Sequence, residues 1–71
     1  MYKIRFNGIK KNYEFDKNNK TIAKGSLTKI TDFAIEEGLD IDGLEIAYKT
    51  MNKNKHTIAE FGINGYFIFS K

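Results

Sequence analysis

The chain opens on strict alternation: Tyr2, Ile4 and Phe6 interleave with Lys3, Arg5 and Asn7, the period of a strand with one face buried. Asn7-Gly8 follows, a pair that accepts two successive positive φ angles and so favours a two-residue type I′ turn. That turn predicts Phe6 opposite Ile9, Ile4 opposite Lys11 and Tyr2 opposite Tyr13. Directly opposed residues share a face. One face of the hairpin then carries Tyr2, Ile4, Phe6, Ile9 and Tyr13, and the other Lys3, Arg5, Lys10 and Asn12. Lys11 is the misfit, an ammonium on the apolar face whose stem must snorkel from the sheet margin.

Residues 16–20 read as a polar turn and 21–24 as a short edge strand. Gly25-Ser26 then opens a helix with Ser26 as its N-cap. Leu27, Ile30, Phe33 and Ala34 form its apolar stripe, and Gly38 suits the position just past its end. The segment 39–51 carries two patterns. As a helix it has Asp42 at the N-cap, Glu45 three residues on as in a capping box, and Leu44, Ala47, Tyr48 and Met51 on one stripe. As a strand it alternates Leu44, Ile46 and Tyr48 with Glu45, Ala47 and Lys49. Cap and stripe agree, which favours the helix.

Residues 56–61 and 66–70 flank Asn64-Gly65, a second I′ signal. It predicts Ile63 opposite Tyr66 and Phe61 opposite Ile68. One face then holds Phe61, Ile63, Tyr66 and Ile68, and the other Ile58, Phe67 and Phe69 among Glu60 and Gly62. The helices can cover the first face through Leu27, Ile30 and Phe33. The second is left for the first hairpin, a partner or a second copy of the chain, so Ile58, Phe67 and Phe69 are the candidate protein interface.

At 71 residues and 8.2 kDa, residues 1–71 allow a single domain that buries roughly 60% of its unfolded surface. A hydrophobic content of 41% is too high for a disordered tail. Without cysteine there is neither a disulfide nor a thiolate metal site. No apolar run is long enough to span a membrane or to form a signal-peptide core, so a cytoplasmic protein is expected. Lysine, asparagine and isoleucine abound, proline is absent and arginine occurs once. AT-rich codons encode that set, which suggests a phage or other mobile element.

The net charge of +3 is segregated. Residues 1–31 carry eight bases and two acids; 32–45 carry six acids and no base. Any charged partner must therefore choose a face. The acidic candidates are Asp32, Glu36, Glu37, Asp40, Asp42 and Glu45, which would meet a basic protein surface. The basic candidates are Lys3, Arg5, Lys10, Lys17 and Lys20, which would meet nucleic-acid phosphates.

Catalytic chemistry finds little footing. His56 is the only histidine and follows a lysine-rich turn, which reads as a strand-end residue. No serine or threonine has a nucleophile context. Asp40-Ile41-Asp42-Gly43 lacks the third aspartate and the glutamate of an EF-hand loop. No cofactor, metal or enzymatic activity is expected.

Ala34, Gly38, Leu39, Leu44 and Ala47 fall at relative positions 0, +4, +5, +10 and +13. This spacing, within residues 30–51, resembles the helix-turn-helix of Cro-like repressors, which implies a second helix that reads DNA. Glu37 stands where that pattern has an apolar residue. Asp40, Asp42 and Glu45 would bring carboxylates to the end of the recognition helix that approaches DNA. The expected fold is α+β: an antiparallel sheet from N- and C-terminal hairpins, with one or two helices on one face. The expected function is a small non-enzymatic regulator that occupies a protein surface. The alternative is a nucleic-acid-binding regulator using the basic hairpin or the helix-turn-helix.

Overall fold

A computed structural model describes residues 1–61 and 67–70. Five strands and two helices follow one another as β1 (Tyr2–Asn7), β2 (Asn12–Lys17), β3 (Lys20–Gly25), α1 (Leu27–Glu36), α2 (Ile41–Asn54), β4 (Ile58–Phe61) and β5 (Phe67–Ser70). The strands form one antiparallel sheet in the order β3-β2-β1-β4-β5. The expected α+β architecture is what the chain adopts. β1 is the central strand, and the chain crosses the sheet through the two helices before returning beside it.

The first hairpin is longer than Asn7-Gly8 predicts. Asn7 pairs with Asn12, Phe6 with Tyr13, Ile4 with Phe15 and Tyr2 with Lys17. Residues 8–11 form the turn. The Asn7 side-chain oxygen accepts from the Ile9 and Lys10 amides, each at 3.1 Å, and Lys11 takes φ 56°. Ile9 is 96% exposed, not part of the apolar face. The register has an electrostatic reason. The shorter turn would set Arg5 against Lys10, whereas the observed one sets Arg5 against Glu14 and Lys3 against Asp16; like charges directly opposed are unfavourable. Two successive positive φ angles, as a type I′ turn requires, occur instead at Asn18 and Asn19 (52° and 66°). They join Lys17 to Lys20.

β3 is an edge strand, as expected. Ile22 is the extra residue where the ladder slips between Phe15↔Ala23 and Asp16↔Thr21, and such bulges and edge lysines discourage further strand pairing. Gly25 turns the chain into α1 with φ 148°, and a Cβ there would meet the Lys29 Cδ at 2.8 Å. Ser26 caps α1, its hydroxyl accepting from the Lys29 amide at 3.2 Å. Gly38 follows the helix with φ 98°.

Residues 43–51 are helical. The cap is Asp40 rather than Asp42, its carboxylate accepting from the Gly43 amide at 3.1 Å. The helix thus starts two residues earlier than the capping-box pattern places it, because Asp40 already supplies an acceptor to the first turn. The Thr31 and Tyr48 hydroxyls, 2.8 Å apart, link the two helices. Burial raises the Tyr48 phenol above its ordinary pKa, against a lowering by the Thr31 hydrogen bond.

Both helices lie on one sheet face. Ile4, Phe15, Ala23, Ala59 and Phe61 from the sheet meet Ile30, Ala34, Leu44, Ala47 and Met51 from the helices. Tyr2 stacks on Phe15 with ring centroids 5.6 Å apart.

The C-terminal hairpin also differs from expectation. Phe61 pairs with Phe67 rather than Ile68, and Ala59 pairs with Phe69. The predicted Asn64-Gly65 turn, with Ile63 and Tyr66, lies outside the described residues. The ladder is displaced by one residue, which exchanges the faces of β5 relative to β4. Phe69 consequently packs on the helix-covered core, while Ile58 and Ile68 share the open face with Glu60.

Candidate interaction surfaces

The basic candidates begin on β1. Lys3 and Arg5 point to the open sheet face, where the observed register brings carboxylates to them. The Arg5 Nε donates to Asp16 Oδ2 at 2.8 Å and its Nη2 to Asp16 Oδ1 at 3.1 Å. Nη2 also reaches Glu14 Oε1 at 2.6 Å and Thr21 Oγ1 at 3.0 Å. The Thr21 hydroxyl in turn donates to Asp16 at 2.8 Å. Asp16 and Glu14 side chains are only 8% and 11% exposed, so this is a semi-buried cluster in which each carboxylate has a partner.

The hydrogen bond to Asp16 raises the Arg5 pKa further. Burial acts to raise the Asp16 carboxyl, but hydrogen bonds from Arg5 and Thr21 and the charges of Arg5 and Lys3 outweigh it and hold it below the ordinary value. Lys3 lies 3.7 Å from Glu60. Two cations thus face three carboxylates, and the centre of the open face is not basic.

Lys17 pairs with Glu37 at 2.7 Å, and the hydrogen bond its ammonium donates to that carboxylate raises the Lys17 pKa. Lys10 and Lys20 are exposed without an ion pair among the described residues. They sit beyond opposite ends of β2, whose six residues span roughly 20 Å. The five basic candidates therefore do not form one positive patch.

The acidic candidates are placed differently. Asp32, Glu36, Asp40, Asp42 and Glu45 are exposed on the helical layer, and none has an ion pair among the described residues. Asp40 is engaged as the α2 cap. Glu37 is the exception, tied to Lys17 and approached by the Tyr2 hydroxyl at 3.4 Å. The same helices expose Ile35, Ile41 and Ile46, at 43%, 49% and 60%. These isoleucines fall off the buried stripes, a signal that was present in the helical reading. A shallow groove of about 600 Å³ runs along α1, lined by Thr28, Lys29, Asp32, Phe33, Ile35 and Glu36.

The apolar candidates Ile58 and Phe69 do not share a surface. Ile58 is half-buried on the open face opposite Arg5, and Phe69 packs on the core beside His56, ring centroids 5.8 Å apart. Phe67 stands opposite Phe61 in the ladder. The residues of the helix-turn-helix spacing have a packing role: Ala34, Leu44 and Ala47 are fully buried, and the Leu39 amide donates to the Ala34 carbonyl at 3.0 Å. Glu14 and Asp16, the carboxylates that neutralise Arg5, and Thr21, which accepts a hydrogen bond from it, escape a reading based on the shorter hairpin. The directly opposed Arg5 and Lys10 in that register were the available warning.

Among the described residues, no group of three or more His, Asp or Glu side chains is arranged to hold a metal ion, and no helix is long and apolar enough to cross a membrane. Fold and surface define a small α+β protein whose helical layer exposes carboxylates of residues 32–45 and three isoleucines, with Lys29, Lys49 and Lys53 on the same helices, and whose open sheet face is internally neutralised. Comparison with protein-family models, with curated proteins and with solved structures finds no match to the chain.

Proposed function

We propose that the chain is a small interaction protein of regulatory type that works by occupying a basic surface of another protein. The supporting observation is the contrast in charge pairing. Lys3, Arg5 and Lys17 are paired within the chain, whereas five of the six acidic candidates on the helical layer are exposed and carry no such pair. Of the five basic candidates only Lys10 and Lys20 are left without an ion pair among the described residues, at a distance from each other. Carboxylates beside exposed isoleucines offer a basic protein both long-range attraction and apolar contact.

The test is capture from nuclease-treated extract on immobilised wild type and on Asp32→Lys/Glu36→Lys. A captured protein that is lost with the double variant, and whose association slows as salt rises, is the expected result. A salt-sensitive shift of random duplex DNA, abolished by Lys10→Glu/Lys20→Glu and unchanged by the helix variant, would overturn the reading in favour of a nucleic-acid partner.

A further inference from the structure

A second concavity lies apart from the groove on α1, where the last turns of α2 pass the turn end of the first hairpin. It encloses about 350 Å³, the small end of the range for ligand pockets. Phe6 and Tyr13 line it as a tilted pair with centroids 5.0 Å apart. Tyr48 and Met51 of α2 contribute to its lining, together with His56 and Thr57.

Two features of the lining select a ligand. The first is His56, whose Nδ1 is buried and has no hydrogen-bond partner among the described residues. A stranded polar atom of this kind is rare in folded chains and calls for an explanation. The imidazole lines the cleft on one side and meets the Phe69 ring. The second is charge. Among the described residues, Lys55 lines the cleft, no aspartate or glutamate does, and Lys55 has no ion pair. Its backbone is held at φ 56° as the C-cap of α2, which sets its position relative to the cleft.

We propose that this cleft binds a small planar aromatic anion. The ring packs among Phe6, Tyr13 and Tyr48, where offset and edge-on contacts favour a flat π-system. The acid group is held by the Lys55 ammonium and the His56 imidazole. This site is independent of the acidic helix surface and would let a metabolite of that class address the protein without competing for its partner.

The test is NMR titration of the intact, isotope-labelled chain with naphthalene-2-carboxylate, and with the uncharged naphthalene-2-methanol as reference. The expected result is saturable shifts at Phe6, Tyr13, Tyr48, Met51, His56 and Thr57, with the His56 imidazole signals following the same curve. Lys55→Gly removes the cation while suiting the left-handed backbone, so the fold is retained. It should weaken the carboxylate about two- to fivefold and leave the alcohol unchanged. Shifts that do not saturate, or that centre on α1, would overturn the site. Equal binding of acid and alcohol in wild type and variant would overturn its preference for an anion.

Discussion

The two hairpins of this chain depart from their sequence-based registers by different amounts, with different consequences. In the first, Ile4 pairs with Phe15 where a two-residue turn would have paired it with Lys11, a displacement of four positions. An even displacement leaves every side chain that stays in the ladder on its original face, so Tyr2, Ile4, Phe6 and Tyr13 remain on the core side and Phe15 joins them. In the last, Phe61 pairs with Phe67 instead of Ile68, a displacement of one. Odd displacements exchange the faces of the moving strand. Phe69 therefore packs on the core, while Ile58 lies on the open face with Ile68. Loop length is the least legible feature of a hairpin, and only its parity decides what a strand buries.

Substitutions can break that comparison at its strongest point first. Phe15, fully buried opposite Ile4 and stacked on Tyr2, should cost about 3–5 kcal/mol on Phe15→Ala. That loss is enough to unfold a domain of this size, as loss of the cooperative urea transition will show. In the shorter register Phe15 lies beyond the hairpin and the change would be mild.

Next is Arg5→Ala, which strands Glu14 and Asp16 without their cation. With the Arg5 side chain 34% exposed, the cost should be about 2 kcal/mol, below that of a fully buried pair. Lys10→Ala, exposed in the turn, should leave the urea midpoint within about 0.5 kcal/mol of wild type. Equal effects would remove the ion cluster from the account of the first hairpin.

The second hairpin makes the parity test. Phe69→Ser should destabilise by about 1–3 kcal/mol through lost burial, whereas Ile68→Ser, at a position 58% exposed, should be near neutral. The register that pairs Phe61 with Ile68 demands the opposite ranking, so thermal melts of the two variants decide between them.

Acid gives a smaller effect, read as slope. Asp16 has a depressed pKa in the folded chain, so over the acid range the unfolded chain binds more protons than the folded one. Its contribution is present above the ordinary aspartate range and is lost as pH falls through the folded value. Stability measured between neutral and acid pH should decline for wild type, and the decline should be shallower for Asp16→Asn. Parallel curves would show that the Arg5 cluster does not discriminate between protonation states.

Much of the fold is written locally. Ser26, with a hydroxyl three residues before the Lys29 amide, and Gly38, free to take φ 98°, mark the ends of α1 because both effects act within one turn of chain. The stripes Ile30–Ala34 and Leu44–Ala47–Met51 are buried as their spacing requires, since 3.6-residue periodicity is a property of the helix alone. The six acids of 32–45 are equally plain in the sequence.

What the sequence could not decide was the fate of the opposing charges. Eight bases in the first 31 residues suggest a positive surface only while Glu14 and Asp16 are placed elsewhere. Whether Arg5 faces solvent or a carboxylate depends on strand register, which is fixed by cross-strand pairs, by a turn built on the Asn7 side chain and by the core that Phe15 completes. Likewise Lys17 meets Glu37 only because α1 folds back over β2. Local chemistry determined the elements and their buried faces; long-range pairing, whose energy is shared among many residues and invisible at any one of them, decided which charges remained for a partner.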